Sequence, residues 1–223
     1  IRDSSKTIYK EVLKIGIPVL LFQLFASAAM GCINTASKPY GDYAVAAMGT
    51  VTRIMTVAAY VVFGFLKGFQ PFAGYNYGAK NFGRLKKSVK LCMVWSTVFC
   101  VIAAIVLIVF AEPVVSFFGT DIKMLRLAEQ ALKINAVLFV TFGFQMVYAS
   151  LYLAIGKSLA GSVLSLGRQG IFFFPLVLIL PGLIGLTGVI WVQPAADILT
   201  AILTVIFAIK INRSLSAEIK KKR

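Results

Sequence analysis

Long, nearly uncharged apolar runs constrain this chain more than any other feature. Residues 91–111 and 134–155 contain no Asp, Glu, Lys or Arg at all. About 20 predominantly apolar residues are what a helix needs to cross the hydrocarbon of a bilayer. Four further runs meet that length: 15–33, a stretch within 44–72, 163–180 and 188–209. The second carries Arg53 and Lys67, the fifth has Arg168 near its start, and the sixth holds Asp197. Segments such as KPYGD, YNYGAKNFGRLKKSVK, GKSLAG and PGLIGLTG separate the runs, with the Gly, Pro or charge content of turns. A transmembrane β-barrel would show strands of about ten alternating residues instead. The expected fold is therefore all-α: a polytopic membrane protein with a six-helix transmembrane bundle.

Composition agrees. Of 223 residues, 59% are hydrophobic and only 14% charged. A soluble domain so apolar would lack the polar surface to stay dispersed. The formal charge of +15 would suggest nucleic acid on a soluble protein. Here its placement matters more, because Lys and Arg gather on the cytoplasmic side of membrane proteins. With the N-terminus inside, 17 of the 23 basic residues fall on inner segments and 4 on outer ones, leaving Arg53 and Lys67 in the second span. That asymmetry places both termini in the cytoplasm and speaks against nucleic acid as a partner. The terminal KKKR meets either anionic headgroups or water.

Three regions follow: a cytoplasmic linker and amphipathic lead-in at 1–14, a transmembrane lobe at 15–210, and a basic cytoplasmic tail at 211–223. The charged start at Ile1 suggests an excerpt of a longer protein, cut in a loop. The chain has no His, so a histidine triad or His-ligated metal site cannot form. Cys32, Cys92 and Cys100 lie in apolar runs without metal spacing and are expected to pack. No GxSxG and no paired mid-membrane carboxylates occur, so an enzyme is not expected, nor any cofactor or metal.

Polar groups inside the spans are the informative residues, since each costs free energy in hydrocarbon unless partnered. Hydroxyls such as Thr52, Thr56 and Thr200 are expected to bond back to their own helix. The cavity-lining candidates are Gln23, Arg53, Gln70, Gln145, Gln169 and Asp197. Lys67 and Arg168 lie near span ends and can reach the headgroups by snorkelling. Asp197 is the sole carboxylate at membrane depth and so the ion-coupling candidate; its depth is comparable with that of Arg53. A shared cavity or a static ion pair between those two would lower the cost of both. Pro71, Pro175 and Pro194 are expected to interrupt or kink their helices.

The stretch GFLKGFQPFAGYNYGAKNFGRLKK, with Gln70-Pro71 and Gly74–Lys80 at its centre, resembles the end of the second helix of a half in multidrug and toxic compound extrusion (MATE) transporters. YGDYAVAAMGTVTRI, GRQGIFFFPLVLILP and GVIWVQPAAD are similar to other segments of that half, in the family's order. The resemblance implies one half, the C-terminal one, of a twelve-helix transporter with a pseudo-two-fold axis. It implies export of organic cations and drugs against inward movement of protons or sodium ions. Its partners would be the N-terminal half, small organic cations and membrane lipids, and its location the plasma membrane. Some members carry acids in the first and fourth helices of this half. Here Gln23 and Gln145 are prominent there, which favours protons over sodium. A lipid-linked precursor flippase of the same superfamily and a non-transporting membrane scaffold remain alternatives.

Overall fold

The computed structural model describes residues 2–221. Seven helices carry the chain: α1 Arg2–Ser37, α2 Asp42–Gly78, α3 Phe82–Val109, α4 Ala111–Ser116, α5 Ile122–Ala154, α6 Ser158–Leu166 and α7 Phe173–Lys221. A 3-10 turn, Lys38–Tyr40, precedes α2, and one wider π-type turn, Gly167–Ile171, joins α6 to α7. No strand occurs among the described residues. The short α4 and the first turns of α5 absorb the segment between the third and fourth spans. Asp121 starts α5, its carboxylate accepting from the Lys123 N–H at 2.8 Å.

Five continuous helical segments are long and apolar enough to cross a membrane, and the last of them, Ser158–Lys220, has 63 residues. That last segment is two crossings. Within α7 the backbone leaves helical geometry at Ile184 and Gly185, where Gly185 has φ +62°. Only glycine takes that angle at no steric cost. The chain then doubles back so tightly that a Cβ at Gly188 would run into the Leu180 carbonyl. The fifth and sixth spans therefore form a hairpin, with arms 158–183 and 186–221. Tyr40 Oη donates to the Pro181 carbonyl at 3.4 Å and ties the hairpin tip to the turn before α2.

The helices continue through Pro71 and Pro194. The Pro175 effect falls one turn earlier. Pro175 has no N–H, so the Ile171 carbonyl loses its ordinary helical donor. The backbone there adopts the π turn, with the Phe172 N–H reaching Gly167 O at 3.0 Å.

The α5 helix is the central post. Of its most apolar window, 67% is buried, against 11% for the corresponding window near the N-terminus in α1. It packs against α2, α3, α6 and both arms' neighbourhood in α7. It comes close to α3 at Gly143, where a Cβ would lie 2.8 Å from the Ser96 carbonyl. Two apolar clusters form around this post. One gathers Leu66, Leu85, Phe139, Phe142, Leu151 and Leu215. The other gathers Ile33, Val51, Leu132, Phe173, Val189 and Ala196. Cys92 and Cys100 pack in the first cluster as unpaired thiols. α1 lies at the margin, with Leu20, Leu24 and Ile17 exposed.

The crossing pattern makes a direct prediction. Lys38 and Lys87 are exposed at opposite ends of α2 and its continuation into α3. In a background lacking the three native cysteines, Lys38→Cys and Lys87→Cys should react with an impermeant thiol reagent from opposite faces of the membrane. Labelling of both from one face contradicts the arrangement.

Candidate functional site

The hairpin brings Arg168 and Asp197 together. They are 29 residues apart, about 44 Å along an unbroken helix at 1.5 Å per residue. Arg168 Nε instead donates to Asp197 Oδ1 at 2.6 Å, and Nη2 donates to Oδ2 at 3.4 Å. Gln193 Nε2, one turn before Asp197, donates to the same Oδ1 at 2.9 Å. Gln145 of α5 donates from Nε2 to the Asp197 backbone carbonyl at 3.1 Å and to Thr141 Oγ1 at 2.9 Å. The guanidinium also lies over the Phe142 ring, 4.6 Å from its centroid. One polar network thus joins the π turn, the second arm of α7 and α5. Phe142 belongs to one apolar cluster and Ala196 to the other, so the network sits where the two meet.

The electrostatic logic is simple. Each charge alone at the centre of a span costs at least about 2.5–3.5 kcal/mol. Asp197 is 3% exposed and Arg168 8%. Pairing in a short, charge-assisted hydrogen bond offsets much of that cost. The Gln145 Oε1 atom is left without a partner.

A hollow flanks the network. A first chamber of about 260 Å³ lies between α1, α2 and the hairpin; it is bordered by Gln23, Thr52, Asn135, Arg168, Gln169 and Gln193. A second chamber of about 500 Å³ is bordered by Lys67, Gln70, Ser150 and Ser165. Phe22, Gln23, Tyr60 and Phe63 line both. Phe63 packs edge-on to Phe22 at 5.9 Å and to Phe142 at 5.6 Å, so an aromatic row runs from the chamber wall to Arg168. Such walls suit a flat apolar body anchored by a few polar groups. Among the described residues, no three His, Cys, Asp or Glu side chains lie together as a metal site would need.

The sequence candidates separate into three groups. Gln23, Gln70 and Gln169 border the chambers. Gln145 and Asp197 meet each other but lie behind the wall, both buried. Arg53 is exposed and borders neither chamber. The chamber-facing stripe of α2 runs through Thr52, Met55, Thr56, Ala59, Tyr60 and Phe63. Arg53 stands about a quarter turn from Thr52, at 3.6 residues per turn. The expected pairing of Asp197 with Arg53 is therefore corrected: Asp197 pairs with Arg168. The expectation that Arg168 snorkels to the headgroups is corrected with it, because a carboxylate lies within reach and no headgroup contact is needed. Lys67 borders the second chamber, which the snorkelling reading overlooked. The hydroxyls behave as expected: Thr52, Thr56 and Thr200 bond the carbonyl four residues back, at 2.7–2.8 Å.

Topology and site together define a helical membrane-spanning lobe with a polar network beside an internal hollow. A family model described as MatE matches residues 18–179, and the chain belongs to that family. It is 26% identical over 214 residues to the multidrug export protein MepA of Staphylococcus haemolyticus, covering 96% of this chain and 47% of that relative. The solved structure of the MATE multidrug transporter DinF-BH is 37% identical with a TM-score of 0.81, over 92% of this chain and 46% of that one. The bent form of the Vibrio cholerae MATE transporter VcmN has a TM-score of 0.82 at 22% identity, over 93% and 47%, and shows the fold alone. The chain thus spans about half the length of the relatives it matches. Those relatives are transporters, not enzymes.

Breaking the pair from one side should cost more than removing it. Arg168→Gln leaves Asp197 buried and unpaired, with an expected loss of about 3–5 kcal/mol. Adding Asp197→Asn should recover most of that. Unfolding of the purified protein in detergent measures both, and a double variant no more stable than the single one contradicts the role given to the pair.

Proposed function

We propose that this chain is the C-terminal six-helix lobe of a secondary multidrug exporter in the plasma membrane, with both termini cytoplasmic. Its partner is the N-terminal half of the same transporter, and the two lobes enclose the substrate path. The transported compounds are organic cations and drugs, exchanged for protons. The observation that carries this reading is the pair of adjoining chambers lined by aromatic rings and side-chain amides, in a chain that spans about half of MATE relatives. A large part of α1 is exposed, as a surface meeting a second lobe would be in an isolated one. Asp197 is the coupling candidate of this lobe, because protonation would release Arg168 from its partner. Membrane lipids cover the remaining apolar faces.

A second reading draws on a specific observation. Among the described residues, the charged ones on the chamber walls, Arg168 and Lys67, are both basic, as a flippase for a lipid-linked pyrophosphate would need. Proteoliposomes with the complete transporter separate the readings. Export of a cationic dye under an imposed proton gradient is expected. Movement of a pyrophosphate lipid without dye export favours the flippase, and movement of neither leaves a scaffold. In the same vesicles, Asp197→Asn should flatten the pH dependence of export. An unchanged profile at normal protein levels removes Asp197 from coupling.

A further inference from the structure

The two chambers carry a polarity that composition hides. Among the described residues, Arg168 is the one side chain with a formal charge that borders the first chamber, and Lys67 the one that borders the second. Among the described residues, no carboxylate borders either. Asp197 lies behind Arg168 with both oxygens engaged, so the chamber meets the donor end of an ion pair. Arg168 donates to Asp197 through Nε and Nη2, and among the described residues no acceptor meets Nη1. Arg168 itself borders the first chamber. The guanidinium is held rigidly by the carboxylate on one edge and the Phe142 ring on its face. A pre-oriented guanidinium loses little freedom when it takes an acceptor.

We infer that Arg168 is a specificity-determining residue of this lobe, and that it receives the anionic or strongly accepting group of an amphiphilic aromatic substrate. The inference rests on the transporter reading above and refines its substrate class: the preferred compounds are zwitterions with a carboxylate on an aromatic body. The aromatic body packs on Phe22, Tyr60 and Phe63, and the carboxylate meets Arg168 from the chamber side. The cationic end of such a compound finds no charge partner on these walls and points away from this lobe.

A matched pair of dyes tests this: a xanthene dye with a free carboxylate and its ethyl ester, which share one chromophore. Binding of each to the complete transporter in detergent is read by fluorescence anisotropy, as the ratio of acid to ester affinity. Arg168→Gln with Asp197→Asn removes the guanidinium without stranding a buried charge. That ratio should fall about tenfold, the scale of one charge-assisted hydrogen bond. Arg168→Lys, which keeps the charge but loses the planar fork, should lower it less. Lys67→Gln should move it less than the double variant does. Binding of both dyes with an unmoved ratio in the double variant, or a larger fall in Lys67→Gln, overturns the inference alone. Binding of neither dye by the unaltered transporter overturns it together with the reading on which it rests.

Discussion

A carboxylate and a guanidinium held near the middle of a bilayer restrict what the surrounding chain can do. Neither tolerates hydrocarbon alone, so the helices that carry them must stay together. Here that requirement falls on Arg168 in the π turn and Asp197 in the second arm of α7. The pair is out of reach unless the chain reverses between them, and the reversal is made at Ile184–Gly185. Gly188 allows the arms to close, and the Pro175 gap produces the wider turn that carries Arg168. Gln145 then fastens the hairpin to the central post. A buried pair of this kind contributes little net stability against an apolar replacement. Its effect is to reject arrangements in which the two charges are apart.

The same pair sets the character of the hollow. The acid is turned away from it and the base toward it, so the wall shows a donor rather than an acceptor. Aromatic side chains continue that wall through Phe142, Phe63 and Phe22. The stripe of α2 that faces the hollow is the same 3.6-residue stripe that holds Thr52 and Thr56, whose hydroxyls are turned back to their own helix. Polarity on the α2 side of the first chamber therefore comes little from these threonines; amides and the guanidinium supply it on the facing walls.

Most of the fold was legible in the sequence because apolar length is a strong signal and needs no tertiary information. The run at 91–111 falls mostly on α3, which ends at Val109, and the run at 134–155 on the later part of α5, which ends at Ala154. The charged segment before the fourth span is a lead-in continuous with α5, which begins at Ile122. Pairing was the harder question. Depth along each helix suggested Arg53 for Asp197, but depth says nothing of azimuth, and Arg53 stands off the chamber stripe. A further signal was present: Arg168 and Asp197 flank the PGLIGLTG turn, and a hairpin there brings them within about one or two helical turns of each other in depth. Lys67 was set aside for its position near a span end, yet the second chamber reaches that depth.

Charge exchange across the hairpin tests the central role of this pair most directly. Arg168→Asp alone and Asp197→Arg alone each bury two like charges side by side, and both should sharply lower the thermal midpoint of the protein in detergent. The two changes together restore an attractive pair between the same backbone positions. The account predicts that the exchanged protein regains a large part of the lost midpoint relative to either single reversal. An exchanged protein as unstable as the single reversals would contradict it.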